Sequence, residues 1–484
     1  MKILMLNPPF LPKYSRFSRS PAVTKSGTIY FPIWHAYATG LLEQHGHQVR
    51  LVDAPAEGLE REDCYKITKE FSPDMVVVYT STPSIFNDVE IAGHIKDLRP
   101  ASFIVLAGPH VSALPEESLN MDGRIDAVAR REYDMTLVEL ASILPNRDEL
   151  EKVKGLTFRK KKKIITNPDR DFIQNLDSLP FVSAVYKRHL NIKNYFYAHT
   201  RNPVVSFFAG RGCPNRCFFC VYPQVMFGHK YRHRSPENIV EELEYIKNEL
   251  SEVKEVLIDD DNFTVDQEHV LNICDLIIQK KLKITWTVET RVDLKYDVMV
   301  KMKKAGCRLF VPGFESGEQR ILDNINKRTT INQSSEFCKN AKKAGVRIHG
   351  CFMVGNKGET KETMKKTLEF AKKLNLDTVQ FFPLMIYPGT KAYSWAQENS
   401  YICADSYRNW LTGEGLHNCV INTDKLSAKE LVEFCDKARR EFYLRPTYII
   451  RKILDLIINP SEIMRTIKAA RVLSKYIFRR KKLC

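Results

Sequence analysis

The sequence predicts an α/β protein: an amino-terminal doubly wound parallel sheet, then a partial β/α barrel, then a helical C-terminal region. Three observations predict it. Short apolar runs alternate with helical periodicity twice over, in residues 1–145 and again in 196–395, as strands buried on both faces and their covering helices do. Residues 146–195 between them read as a connector with a charge run at Lys160–Lys163, most simply a solvated hairpin turn. The 484 residues also exceed what a single core organises.

In the first unit the strand candidates are Lys2–Leu6, Gln48–Val52, Met75–Tyr79, Phe103–Ala107 and Ala127–Val128. Ligands in such sheets bind at the carboxyl ends of the strands. Those ends carry Asn7-Pro-Pro-Phe, Asp53-Ala-Pro, Thr80-Ser-Thr-Pro and Gly108-Pro-His-Val. In the second unit, strands near Val204–Ala209, Glu255–Ile258, Ile284–Thr287, Leu309–Pro312, Ile348–Val354 and Thr378–Phe382 alternate with helices. Six such units give a partial barrel with its chemistry on the carboxyl face. Residues 396–484 show little strand signal and read as helices ending in an aromatic and basic tail.

No run of 18 apolar residues occurs and the first apolar run is too short for a signal peptide, so the expected location is the cytoplasm. Nine of the twelve cysteines are scattered singly, which excludes a disulfide scaffold. The other three stand in Gly210-Arg-Gly-Cys-Pro-Asn-Arg-Cys-Phe-Phe-Cys, directly after an apolar strand. This C-x3-C-x2-C spacing lets Cys213, Cys217 and Cys220 converge on one 4Fe–4S cube and leave the fourth iron open. The bland alternative is structural zinc, which wants a fourth Cys or His; His229 and His233 are conceivable but lack the paired spacing.

With Phe219 ahead of the last cysteine, the triad resembles the signature of the radical S-adenosylmethionine (SAM) superfamily. The preceding sheet resembles the cobalamin-binding domain of its cobalamin-dependent class. That resemblance covers nearly the whole chain, and implies a 4Fe–4S cluster, SAM and cobalamin as cofactors. It implies reductive cleavage of SAM to a 5′-deoxyadenosyl radical that modifies an unactivated carbon, by methylation, cyclisation or ring rearrangement. A flavodoxin or ferredoxin would donate the electron. Asp260, Asp261, Glu289 and Glu315, with Phe219, are the implied SAM contacts; for each acid a solvated or salt-bridged loop carboxylate is the plain alternative.

In the first unit the resemblance implies cobalamin contacts at Asn7, Thr80, Ser81, Gly108 and His110. Asn7-Pro-Pro-Phe-Leu-Pro has no histidine where many cobalamin proteins supply one to cobalt. Either the lower face lacks a histidine or the sheet has lost the cofactor. Arg131 stands where a glycine is usual. Tyr30-Phe-Pro-Ile-Trp-His-Ala-Tyr looks like relatives acting on hopanoid-type lipids or tetrapyrroles, so the substrate is a small molecule or a lipid.

The tail Ser461–Cys484 holds eight Lys or Arg and one acid, Glu462. Ile463, Ile467, Leu473, Ile477 and Phe478 make an apolar stripe beside them. Together with the net charge of +16 this leaves open a peripheral contact with an anionic inner membrane surface, a helix docked on the enzyme, or an RNA-binding tail. No nucleic-acid recognition module accompanies the third. Two other function classes stand beside the leading one. A cobalamin-free enzyme such as an RNA-modifying methylthiotransferase would bring a second cysteine set to residues 1–145, where only Cys64 stands. A non-enzymatic iron–sulfur or cobalamin sensor would not need so complete a barrel.

Overall fold

The structure, a computed structural model, describes residues 1–144 and 146–477. The first sheet has seven strands: β1 (Lys2–Asn7), β2 (Gln48–Asp53), β3 (Met75–Tyr79), β4 (Phe103–Ala107), β5 (Ala127–Ala129), β6 (Leu156–Lys160) and β7 (Lys163–Thr166). Their order is β2-β1-β3-β4-β5-β6-β7. The first five run parallel; β6 and β7 are added antiparallel. The Lys160–Lys163 run is indeed the turn of a hairpin, but its strands extend the first sheet instead of merely connecting two units. Phe158 on β6 is buried, and that apolar contact recruits the hairpin.

Order 2-1-3 reverses the winding between β1 and β3, which places the topological switch point beside Asn7 and Thr80. Helix α1 (Ile33–Gln44) covers the face turned toward the second sheet. Its Trp34 stacks on Phe208 at 4.0 Å, and Tyr37 donates to the Phe208 carbonyl. Phe31, just before it, stacks on Tyr195 at 3.8 Å and on Tyr186 at 4.4 Å. The aromatic segment 30–37 thus spends most of its rings joining the two units rather than facing a substrate.

The second sheet is six parallel strands in sequential order: β8 (Val204–Phe207), β9 (Glu255–Ile258), β10 (Trp286–Thr290), β11 (Cys307–Glu315), β12 (Arg347–Val354) and β13 (Thr378–Pro383). It is the expected partial barrel. β8 stops two residues short of the expected end because the Ala209 N–H leaves the ladder for the Asp260 carboxylate. β11 runs on to Glu315 through a register shift after Gly313.

The C-terminal region is helical from Ala428: α2 (Ala428–Tyr443), α3 (Pro446–Ile458) and α4 (Ile463–Ile477). Residues 399–427, expected to be helical as well, run irregular apart from one short turn at Tyr407–Trp410 and two isolated bridges. Their density of Asn, Asp, Ser, Thr and Gly favours turns over helix. Tyr407 lays its ring edge-on against His110 at 4.8 Å, so this coil covers the carboxyl end of the first sheet. No helix of the described residues is long and apolar enough to cross a membrane.

Candidate functional site

The cysteine loop follows β8 and is held almost wholly through its backbone. Gly212 has φ +84°, and a Cβ there would stand 2.4 Å from the Lys230 carbonyl oxygen, so only glycine passes. The Cys213 N–H donates to Gly228 O at 3.2 Å. Gln224 Nε2 donates to the carbonyls of Cys217, Phe218 and Cys220 at 3.2, 3.3 and 2.8 Å. His229 Nδ1 lies 3.2 and 3.1 Å from the carbonyls of Cys213 and Asn215. Facing two acceptors, that nitrogen carries the proton and braces the loop.

Cys213 and Cys217 are buried and Cys220 half-buried, and all three are free thiols. Burial, then Asp261, pushes the Cys213 and Cys220 thiols up; a bound cationic group would reverse that balance. The loop offers the three free thiols that a cube held at three corners takes. It does not fit zinc: His229 is spent on carbonyls and His233 packs against His269 at 3.9 Å. Among the described residues no three His, Cys, Asp or Glu side chains close on a single ion. Phe219, between two of the thiols, is half-buried against the core.

Around the loop the barrel strands present acids. Asp260 is fully buried and accepts from the Ala209 N–H at 2.8 Å and from Tyr231 Oη at 2.9 Å; burial lifts its carboxyl to about 7. It fastens β9 to the cysteine loop and has little left for a ligand. Its neighbour Asp259, unremarked in the sequence, accepts from Arg19 Nη1 at 2.6 Å, and Asp261 lies 3.6 Å from Arg19 Nε. Glu289, penultimate in β10, accepts no hydrogen bond among the described residues. Burial first, then Asp259, Asp261 and Glu315, raise it to about 8 despite Arg19.

Glu315 ends β11 with φ +62°, a conformation a glutamate adopts only under constraint. It is paired with the buried Lys327 Nζ at 2.7 Å. A Cβ on Gly313 would fall 2.3 Å from the Glu315 carboxylate and 2.8 Å from that amine, so the glycine clears the space for the pair. Arg19 and Lys327 left no sequence signal. Arg19 sits in an aperiodic stretch 240 residues from its partner, and Lys327 in a loop after β11.

At the first sheet the arrangement differs. Asn7 Nδ2 donates to Asp53 Oδ1 at 2.6 Å, and the Asn7 oxygen accepts from Arg16. Arg16 also bonds Asp88 at 2.8 Å, and Tyr195 Oη donates to Asp53 at 2.8 Å. All of these are buried. Thr80 spends both its N–H and its hydroxyl on the Ala107 carbonyl. Asn7 and Thr80 are therefore committed within the protein.

Ser81, bonded to Tyr14 Oη at 2.9 Å, lines a narrow cleft between the two sheets with Arg16, Thr82, Pro109, Tyr222 and Tyr387. Gly108 has φ +122°, and a Cβ would stand 2.5 Å from the Thr80 carbonyl oxygen. His110 bonds Thr82 through Nδ1 at 3.1 Å, burial holds it neutral with a pKa of about 3, and its Nε2 has no partner. Tyr79 Oη is likewise buried without a partner. Two orphaned polar atoms beside a glycine-tight turn at the switch point suit a polar, nucleotide-tailed ligand such as cobalamin.

Arg131 takes φ +60°. Where a glycine is usual the backbone keeps the glycine conformation, so the departure changes the side chain and not the turn. The same loop supplies Glu132 and Asp134. Glu132 accepts from Arg211 at 2.9 Å and Asp134 at 2.8 Å, while Arg232 also grips Glu132 at 2.9 Å. All four are buried, and they tie the first sheet to the strand that opens the cysteine loop. The one cysteine of residues 1–145, Cys64, is buried among apolar side chains.

Residues 208–371 match the family model described as the Radical SAM superfamily, and residues 19–141 match the B12 binding domain. The chain is 33% identical over 456 residues to an uncharacterized methyltransferase of Pyrococcus horikoshii, covering 94% of this chain and 95% of the relative. It is 27% identical over 423 residues to an anaerobic magnesium-protoporphyrin IX monomethyl ester cyclase of Cereibacter sphaeroides, covering 86% and 67%. In fold it is similar to the cobalamin-dependent S-adenosylmethionine radical enzyme OxsB, with a TM-score of 0.71 at 15% identity over 98% of this chain and 75% of that one.

Proposed function

Because this chain is an enzyme of the radical SAM superfamily, in the class that carries a B12 binding domain, we propose that it modifies an unactivated carbon of a small molecule by methylation or ring formation. Its cofactors in this reading are a 4Fe–4S cluster on Cys213, Cys217 and Cys220, SAM and cobalamin. One observation carries it: a three-thiol loop, locked by backbone contacts, opens beside acids that the chain's own cations do not fully neutralise. When bound, the cluster supplies the electron for cleavage of SAM, and cobalamin supplies methyl-group chemistry.

The protein's own part is to bind and orient. Asp261 and Glu289 offer carboxylates to the amino group and ribose of SAM; Lys327 holds Glu315 in its strained conformation. Asp260 positions the loop and does not touch ligand. Gly108, Ser81 and His110 receive the cobalamin side, with Arg16 and Asn7 closing the sheet end beneath it. The domain division into 1–145, 146–195, 196–395 and 396–484 is part of this proposal, with the hairpin 156–166 of the linker added to the first sheet. A flavodoxin or ferredoxin is the donor, and the basic tail gives the cytoplasmic enzyme a peripheral membrane contact, supported by the +16 charge.

The test is anaerobic reconstitution followed by iron, cobalamin and 5′-deoxyadenosine analysis. The wild type should carry cluster and cobalamin and form 5′-deoxyadenosine. The triple variant C213A/C217A/C220A should keep its circular dichroism but lose iron and 5′-deoxyadenosine formation. A triple variant that still cleaves SAM reductively would refute the assignment.

A further inference from the structure

Among the described residues, the largest exposed apolar surface lies on α3. On α3, Ile449, Ile450, Ile453, Leu454, Ile457 and Ile458 are between 43% and 77% exposed, and on α4 Met464 and Ile467 continue the face. Of the tail's expected apolar stripe, Ile463 and Ile467 are exposed. The side chains of Leu473 and Ile477, and all of Phe478 with the basic run 479–482, lie outside the described residues.

The opposite face of α3 is fastened to the barrel. Tyr448 Oη donates to Asp377 O at 2.9 Å, Arg451 to Asn375 O at 2.6 Å, and Arg347 grips Asp455 at 2.6 and 2.8 Å. Between the two helices, the buried Glu462 meets Arg201 at 2.8 Å, Arg465 at 2.8 Å and Arg308 at 3.6 Å. Burial works against its charge, but Arg308 and Arg465 hold the carboxyl at about 2. These partners stand at the amino ends of the barrel strands: Arg308 is second in β11 and Arg347 first in β12. The catalytic acids stand at the other end. From Arg308 to Glu315 the strand spans roughly 23 Å.

Resting on the peripheral membrane contact proposed above, we propose that α3 and the first turns of α4 are the docking surface, that its occupant is an anionic lipid bilayer, and that docking turns the catalytic mouth away from the lipid. Residues 446–484 hold ten Lys or Arg against two acids, and both acids, Asp455 and Glu462, are consumed in internal ion pairs. An exposed apolar face on a segment of net positive charge is complementary to an anionic interface. It is not complementary to a second copy of itself, whose like net charge would repel. At 13 residues α3 is about 20 Å long, which suits lying in the interface and not spanning it. The orientation also separates membrane attachment from substrate delivery, so the attachment is no evidence for a lipid substrate.

Reconstituted full-length enzyme is floated with vesicles of phosphatidylcholine alone or mixed with phosphatidylglycerol. The comparison set is I453E/I457E, I457S/I458S and a chain lacking residues 478–484. Wild type should float only with the mixed vesicles. The α3 variants should lose at least about tenfold in binding, and SAM cleavage should run equally fast on and off the vesicle. If the shortened chain alone loses binding, the contact exists but runs through the tail, and this inference fails. No flotation of wild type overturns both the contact and the surface. Loss of self-association in the α3 variants without any vesicle binding marks a face between copies and overturns it too. Slower SAM cleavage on vesicles overturns the orientation.

Discussion

The carboxyl ends of the two sheets solve the same problem in opposite ways. At the first, the buried polar side chains are paired within the chain itself: Asp53 with Asn7 and Tyr195, and Arg16 with Asn7 and Asp88. What is left over is neutral, the orphaned Tyr79 hydroxyl and His110 nitrogen. At the second, Asp259, Asp261, Glu289 and Glu315 crowd round Arg19 and Lys327. The first end is finished as a protein and offers a polar surface; the second is left electrostatically incomplete, which in the proposed function a cationic ligand would complete. A buried surplus of one sign is costly unless something bound compensates.

Breaking the joint between them should have the largest effect. Arg211→Met strands Asp134 without its cation and leaves Glu132 to Arg232 alone, and should cost about 3–5 kcal/mol in urea unfolding. A loss below about 1 kcal/mol would mean that the two ends do not depend on this network. Next comes Gly212→Ala, which meets both the φ and the Lys230 carbonyl. It should cost about 3 kcal/mol and the bound iron, whereas loss of stability with full iron content would show that the loop tolerates another path.

Asp53 sharpens the comparison from the finished side. Burial raises its carboxyl to about 7 from 3.8. The stability it contributes is present at low pH and is lost as pH climbs through 7. Asp53 should therefore contribute about 2–3 kcal/mol to the fall in wild-type stability, read from urea midpoints, between pH 5 and 8, and Asp53→Asn should reduce that slope by this share, leaving the part due to Asp260 and Glu289. An unchanged slope would place the titration elsewhere. The smallest effect tests the unfinished side. Glu289→Gln should weaken SAM binding about tenfold while raising apo stability at pH 9, since Gln keeps the neutral form that burial prefers. Tighter SAM binding would reverse the argument.

What the sequence made legible is what local pattern encodes. Strand ends fell within two or three residues of their positions at the sites, because buried parallel strands are continuous apolar runs, and the cysteine loop was legible because its three thiols sit within eight residues. Contacts made across the chain were not. Nothing near Arg19 announces Asp259, and Asp260 and Asp261 are indistinguishable until the Ala209 N–H and Tyr231 hydroxyl claim one of them. The hairpin 156–166 looked polar because only one of its faces is apolar. The exposed face of α3 escaped notice because an isoleucine-rich helix reads as core; only its surroundings show that nothing covers it.

The strand-to-strand connection after β1 has one further consequence. Arg16 is locked into the first sheet, and Arg19, three residues on, is locked onto Asp259 at the second. Three residues span at most about 10 Å, so neither guanidinium moves far without dragging the other. A ligand that displaces Arg19 from the acids must therefore do work against the Arg16 anchorage, with Phe17 stacked on Tyr79 between them. Reciprocity then fixes the sign and size of the return effect: whatever one occupant adds to or takes from the other's binding free energy, it receives back in equal measure. Affinities measured at one end of this tether are conditional on what sits at the other.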